Sequence, residues 1–177
     1  DGYLDVSATT RTGETLILRN EEGELHSDSR IPRTLAWIDT QNRGWRDSLT
    51  ASSVNFNEGA LSFVEGTTKG LPRDATAAVE LDATGDGRLD VVVVDVTGGV
   101  YLAVNQTETD NHWVAVRLTG VKSRIVGTDA RVEVKAGRLY SKRVYPGYPI
   151  VVGVGQQNAV ETVRVTWPNG LIQNQDV

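Results

Sequence analysis

Asp82-Ala83-Thr84-Gly85-Asp86-Gly87-Arg88-Leu89-Asp90 decides how this chain reads. Oxygen-bearing side chains fall at alternate positions 82, 84 and 86, a glycine follows at 87, and a carboxylate closes the stretch at 90. A hard cation such as Ca²⁺ takes about six to eight oxygen ligands, and glycine allows the tight turn between them. The side chains of Asp82, Thr84, Asp86 and Asp90, with the backbone carbonyl of Arg88, are the candidate Ca²⁺ ligands. An EF-hand is excluded, because the twelfth position is Val93 instead of glutamate and the flanks read as strands. The competing reading is a turn rich in Asp and Gly for backbone reasons alone.

The loop recurs. Asp39-Thr40-Gln41-Asn42-Arg43-Gly44-Trp45-Arg46-Asp47 keeps its skeleton, with Asp39, Gly44 and Asp47 matching Asp82, Gly87 and Asp90. Asp1-Gly2-Tyr3-Leu4-Asp5 matches the second half, Asp86 to Asp90, and so supplies half of a site. The closing aspartates at 5, 47 and 90 lie 42 and 43 residues apart. Each loop leads into an extended run, as in Leu4-Asp5-Val6-Ser7-Ala8 and Leu89-Asp90-Val91-Val92-Val93. A glycine or asparagine turn is expected next (Thr12-Gly13, Asn57-Glu58-Gly59, Gly98-Gly99), then a second apolar run (Leu16 to Leu18, Ala60 to Phe63, Val100 to Leu102). Asparagines of the type Asn20 or Asn105 close the unit.

Short strands with glycine turns at a period near 40 residues read as propeller blades, and no long segment carries a helical period. Residues 1–108 are expected to form two to three blades of an incomplete β-propeller. The first copy begins in mid-loop and no methionine stands at position 1, so the remaining blades are expected in preceding sequence or in another chain. In the second loop Gln41 and Arg43 occupy the third and fifth positions. A guanidinium there repels a cation, so no metal is expected, and Arg43 is expected to pair with Asp39 or Asp47 in its place.

Periodicity changes after about residue 108. Ala130, Val132 and Val134 alternate with Arg131, Glu133 and Lys135, and Val163, Val165 and Trp167 alternate with Thr162, Arg164 and Thr166. Clean alternation predicts half-buried antiparallel strands with one wet face. Trp113 to Leu118 reads as a further strand, and turns are marked by Gly120, Gly127, Gly137, Pro146-Gly147 and Pro168-Asn169-Gly170. Residues 109–177 are expected to form a small antiparallel β-domain of five to six strands. The chain as a whole is therefore expected to be all-β.

Asp82 to Asp90, with its following strand and Asn105, resembles the FG-GAP or VCBS repeat of integrin-type propellers, whose D-x-D-G-D-G-x-x-D loop binds Ca²⁺. Thr84 replaces a carboxylate of that pattern, which lowers the ligand charge. The C-terminal segment resembles the ASPIC and UnbV domain. The match rests on Asn111-His112-Trp113, Leu118-Thr119-Gly120, Gly127-Thr128-Asp129-Ala130-Arg131-Val132, Val152-Gly153-Val154-Gly155 and the closing Trp167-Pro168-Asn169-Gly170. That family usually has glycine where Asp129 stands and phenylalanine where Val152 stands. FG-GAP repeats followed by this domain is the layout of cartilage-acidic-protein-like proteins. The resemblance implies an extracellular or periplasmic location and no catalytic activity.

The remaining residues narrow the function. Cysteine is absent, which excludes disulfides, thiolate zinc sites and cysteine nucleophiles. His26 and His112 lie too far apart for a zinc motif, and no G-x-S-x-G signature is present, so no enzyme is expected. A net charge of −5 with no basic block argues against nucleic acid. No apolar run is long enough to span a bilayer; Val91 to Val94 reads as one buried strand. Asn105-Gln106-Thr107 is a glycosylation sequon, but Asn105 matches the recurrent closing asparagine. Trp37 and Trp167 are expected in the core. The function expected is a non-catalytic, calcium-binding scaffold that engages another protein or the remaining blades. A structural subunit of a larger assembly or filament, and a carbohydrate- or matrix-binding module built on exposed aromatics, are the alternatives.

Overall fold

The computed structural model describes residues 4–59, 62–120 and 126–176, so Asp1 to Tyr3 of the half-loop and Ala60-Leu61 lie outside the described residues. The described residues form sixteen strands and no helix, in five sheets, none closed into a barrel. The all-β reading holds. The chain divides into two compact units: Asp1–Ile38, Trp45–Glu80 and Asp90–Val104 form the first, and Asp39–Gly44, Leu81–Leu89 and Asn105–Val177 the second.

The first unit carries three sheets in sequence. Strands β1 (Val6–Thr9), β2 (Thr15–Glu21) and β3 (Glu24–Ile31) form one meander. Strands β4 (Ala36–Ile38), β5 (Asp47–Leu49), β6 (Ser53–Asn57) and β7 (Phe63–Thr67) form the next, and β8 (Ala75–Leu81), β9 (Asp90–Asp95) and β10 (Val100–Ala103) the third. Strands β1, β5 and β9 begin at or one residue after the closing aspartates Asp5, Asp47 and Asp90, so each sequence repeat is one sheet. The valine run of β9 buries Val91 and Val93, as a strand covered on its inner face requires.

The second repeat corrects the sequence reading. Asn57-Glu58-Gly59 lies after β6, at the β6–β7 connection, and does not follow the first strand of its repeat. The turn equivalent to Thr12-Gly13 and Gly98-Gly99 is Thr50-Ala51-Ser52, which contains no glycine. Thr50 replaces it chemically: its hydroxyl oxygen accepts the N–H groups of Ser52 (3.2 Å) and Ser53 (2.9 Å). A hydroxyl that mimics a backbone turn in this way leaves no glycine signature.

This register explains the closing asparagines. The Asp5 carboxylate accepts the Asn20 N–H at 2.9 Å, and the Asn20 amide donates to the Leu4 carbonyl at 3.1 Å. In the next sheet Asp47 accepts the Asn57 N–H at 3.0 Å, and the Asn57 amide donates to the Arg46 carbonyl at 3.3 Å. The same reciprocal clamp joins the first and second strands of both repeats. Asp47 is fully buried, so its carboxylate must be held by hydrogen bonds.

The second unit pairs β11 (His112–Val116) with β14 (Ile150–Gly155), and orders β12 (Arg131–Ala136), β13 (Leu139–Val144), β15 (Thr162–Thr166) and β16 (Ile172–Asp176) as β13-β12-β15-β16. Six strands are described after residue 108, where five to six were expected. The predicted alternation sets the register, with Val132 opposite Val165 and Val134 opposite Val163. These four residues pack with Val116, Ala130, Val152, Val154 and Tyr145 in one core, with Trp167 half-buried against it. Tyr145 is buried with its hydroxyl accepting the Leu118 N–H at 3.1 Å. Asp129 has a φ of 68°, a left-handed conformation that aspartate tolerates better than most residues.

The clamp has a measurable weight. Asn57→Ala deletes the bond to the Arg46 carbonyl and the 2.9 Å bond from the Gly59 N–H to the Asn57 side-chain oxygen. Urea denaturation of this variant is expected to show a loss of about 1–3 kcal/mol.

Candidate metal centre

Asp82 organises the loop between β8 and β9 through its own backbone. One carboxylate oxygen accepts the N–H groups of Gly85 (2.7 Å) and Asp86 (3.2 Å), and the other accepts that of Gly87 (3.0 Å). Three converging N–H groups require the chain to curl, and Gly85 and Gly87 supply φ values of 74° and 81°. Gly87 has a second reason to be glycine: a Cβ there would lie 1.8 Å from the Trp113 ring.

Asp86 faces Arg88. One of its oxygens accepts the Arg88 N–H at 2.9 Å, and the other pairs with the Arg88 guanidinium. Its carboxyl is held below the ordinary carboxylate range, first by the Arg88 backbone N–H, with the Thr84 hydroxyl and the guanidinium adding to the effect against the cost of desolvation. Thr84 thus serves the loop as a donor to Asp86. Asp90 opens β9 and is fully buried.

The structure therefore gathers Asp82, Thr84, Asp86 and Arg88 in one short loop, with the carboxylates turned to N–H groups and to a guanidinium. Among the described residues, no group of three or more His, Cys, Asp or Glu side chains is arranged to hold a metal ion. The donor set is nevertheless all oxygen and carries carboxylate charge, the chemistry that Ca²⁺ prefers. One Asp86 oxygen is already engaged by the Arg88 guanidinium.

The loop of the second repeat is built the same way. Asp39 accepts the N–H groups of Arg43 (2.8 Å) and Gly44 (2.7 Å), four and five residues on, as Asp82 does with Asp86 and Gly87. Asn42 (φ 55°) stands where Gly85 stands, and Gly44 (φ 85°) where Gly87 stands. The repeated part of the motif is thus an aspartate that holds its own loop.

Residues 39–44 pack within the second unit against β14. Gly155 N–H donates to the Asn42 carbonyl at 2.9 Å, and a Cβ on Gly153 would lie 2.3 Å from an Asp39 carboxylate oxygen. The Gln41 carbonyl accepts the Asn111 amide (2.8 Å) and the Thr109 hydroxyl (3.2 Å). The Asn105 amide donates to the Thr40 carbonyl at 2.9 Å, which gives the sequon asparagine a bonding role within the fold. His112 sits at the start of β11 with Nδ1 3.1 Å from the Gln157 carbonyl. Trp37 is half-buried and donates to the Ser7 hydroxyl at 2.9 Å. Trp45 is 46% exposed.

One polar centre escaped the sequence reading. Asp95 ends β9 and accepts four donors: the Thr97 hydroxyl (2.7 Å), the Thr97 N–H (2.8 Å), the Gly99 N–H (2.8 Å) and the Tyr101 hydroxyl (2.9 Å). These bonds, the Thr97 hydroxyl first, hold its carboxyl down to about 2. Tyr101 is raised in return, chiefly by its bond to Asp95. The available signal was an aspartate two residues before a threonine and four before a glycine, the spacing of a side chain that closes its own turn.

A depressed carboxyl stabilises the fold above its unfolded value, and that contribution fades as pH falls from 3.8 through about 2. Asp95→Asn is expected to flatten the acid limb of a stability–pH curve over this window. Urea midpoints of both proteins across the window measure it; an unchanged slope counts against the assignment.

Protein-family profiles, curated proteins and solved structures were all compared with the chain, and none matched.

Proposed function

We propose that this chain is a non-catalytic, calcium-stabilised interaction scaffold, with propeller blades over residues 1–108 and an ASPIC/UnbV-like β-domain over 109–177. The observation that carries the calcium reading is the contrast between two loops of the same build. Both curl around a leading aspartate, but Asp82 to Asp90 has oxygen side chains at 82, 84, 86 and 90, whereas the Arg43 guanidinium breaks that pattern at the fifth position of the other. The ion's role is to join carboxylates that otherwise repel, and so to stiffen the loop. The location proposed is extracellular or periplasmic, on the strength of the family resemblance.

A second reading, a structural subunit of a larger assembly, has its own observation. Strand β10 lies at the edge of its sheet with Val100 and Leu102 exposed, whereas its counterpart β6 is flanked by β7 and is largely buried. An exposed apolar edge strand invites another strand to pair with it. No helix among the described residues is long and apolar enough to cross a membrane.

Calorimetric titration with Ca²⁺ tests the primary reading. The wild-type chain is expected to bind one ion, and a calcium concentration about a hundredfold above Kd to raise Tm by about 5–10 °C. Asp86→Asn is expected to abolish binding, and Arg88→Ala to strengthen it by freeing Asp86. No binding heat and no shift in Tm would overturn the calcium role.

A further inference from the structure

The loop of the second repeat lends a side chain to the loop of the third. Asn42 is 2% exposed, and its amide Nδ2 donates to the Gly87 carbonyl at 3.0 Å. Its own carbonyl is fixed by the Gly155 N–H at 2.9 Å, so the donor is anchored on β14. The amide orientation is set by Gly87: turning it over would place two acceptors face to face. In this orientation the Asn42 side-chain oxygen has no hydrogen-bond partner although it is buried. Leaving a buried acceptor unmade is costly, so the bond to Gly87 determines how the side chain lies.

The bond matters because of where Gly87 sits. Its carbonyl and the Arg88 N–H belong to one planar trans peptide, so holding the first orients the second. The Arg88 N–H points at Asp86 Oδ1, and the Arg88 carbonyl is itself one of the expected ligands. Gly87 is a pivot with a positive φ of 81°, pressed on its other side by Trp113.

We propose that Asn42 is a positioning residue for the cation loop, fixing the Gly87–Arg88 peptide from a neighbouring loop. The assignment rests on the calcium reading above and adds a residue outside the loop to it. Asn42 touches no ligand oxygen; it acts through the backbone. Its own left-handed conformation (φ 55°) is one that glycine adopts without strain, so Asn42→Gly removes the amide and keeps the turn. Asn42→Asp keeps the shape, loses the donor and adds a negative charge, which by simple attraction favours a cation.

Calcium calorimetry on the wild type, Asn42→Gly, Asn42→Asp and Asn111→Ala provides the test, with circular dichroism in EDTA confirming the fold. Both Asn42 variants are expected to weaken binding about tenfold or more, the aspartate despite its charge. Asn111→Ala deletes a bond to the Gln41 carbonyl of the same loop without touching Gly87, and is expected to bind as the wild type does. Wild-type affinity in both Asn42 variants overturns the inference and leaves the calcium reading intact. An equal loss in Asn111→Ala also overturns it, since general loosening then explains the effect. No binding by the wild type overturns the calcium reading and the inference together.

Discussion

A carboxylate that gathers the N–H groups of its own loop is the constraint on which the repeats depend. Asp39 and Asp82 each reach forward four and five residues and hold the backbone in a tight curl. Charge-assisted bonds to backbone N–H groups are the stronger kind, and their geometry admits only residues that tolerate positive φ at the turn. That is why Asn42 and Gly85 share one position, and Gly44 and Gly87 another. On the calcium reading proposed above, metal binding is an addition to a loop that already has a reason to exist, and a cation there has to displace the N–H groups on Asp82 and the Arg88 guanidinium on Asp86.

The closing aspartates of the first two repeats do a different task. Asp5 and Asp47 bind the backbone of an asparagine on the next strand, and the asparagine amide returns a bond to the carbonyl just before the aspartate. The buried Asp47 carboxylate held in this way adds to the paired core residues Leu49 and Val54 in fixing the register of the short strands β5 and β6. Asp95 repeats the strategy at the far end of β9, where four donors close the turn into β10. Close packing enforces the turn: a Cβ on Gly99 would lie 2.6 Å from Asp95 Oδ2.

Strands were legible in the sequence wherever burial imposed a period. The valine run of β9 and the alternation of β12 and β15 gave both element and face, because side-chain period follows directly from the pleat. The Asp–Gly loops were legible as loops because positive φ leaves a glycine signature. The turn at Thr50 to Ser52 was not, since a hydroxyl does the work of a glycine there and shifts the reading of the whole second repeat by one hairpin. Long-range bonds left no local trace at all. Nothing in residues 39–44 shows that they pack on β14, or that Asn42 reaches Gly87 across 45 positions of sequence. The five ligand candidates were visible as residue types at a spacing, whereas the N–H partners of Asp82 and the pairing of Asp86 with Arg88 needed coordinates.

The central claim, that the loop from Asp82 to Asp90 holds a calcium ion, meets its most direct test in a crystal structure grown with millimolar Ca²⁺. The account predicts an ion about 2.3–2.6 Å from oxygens of Asp82, Asp86 and Asp90 and from the Arg88 carbonyl, with the Arg88 guanidinium moved off Asp86. A structure in which Arg88 still pairs with Asp86 and no ion lies at those distances would contradict it.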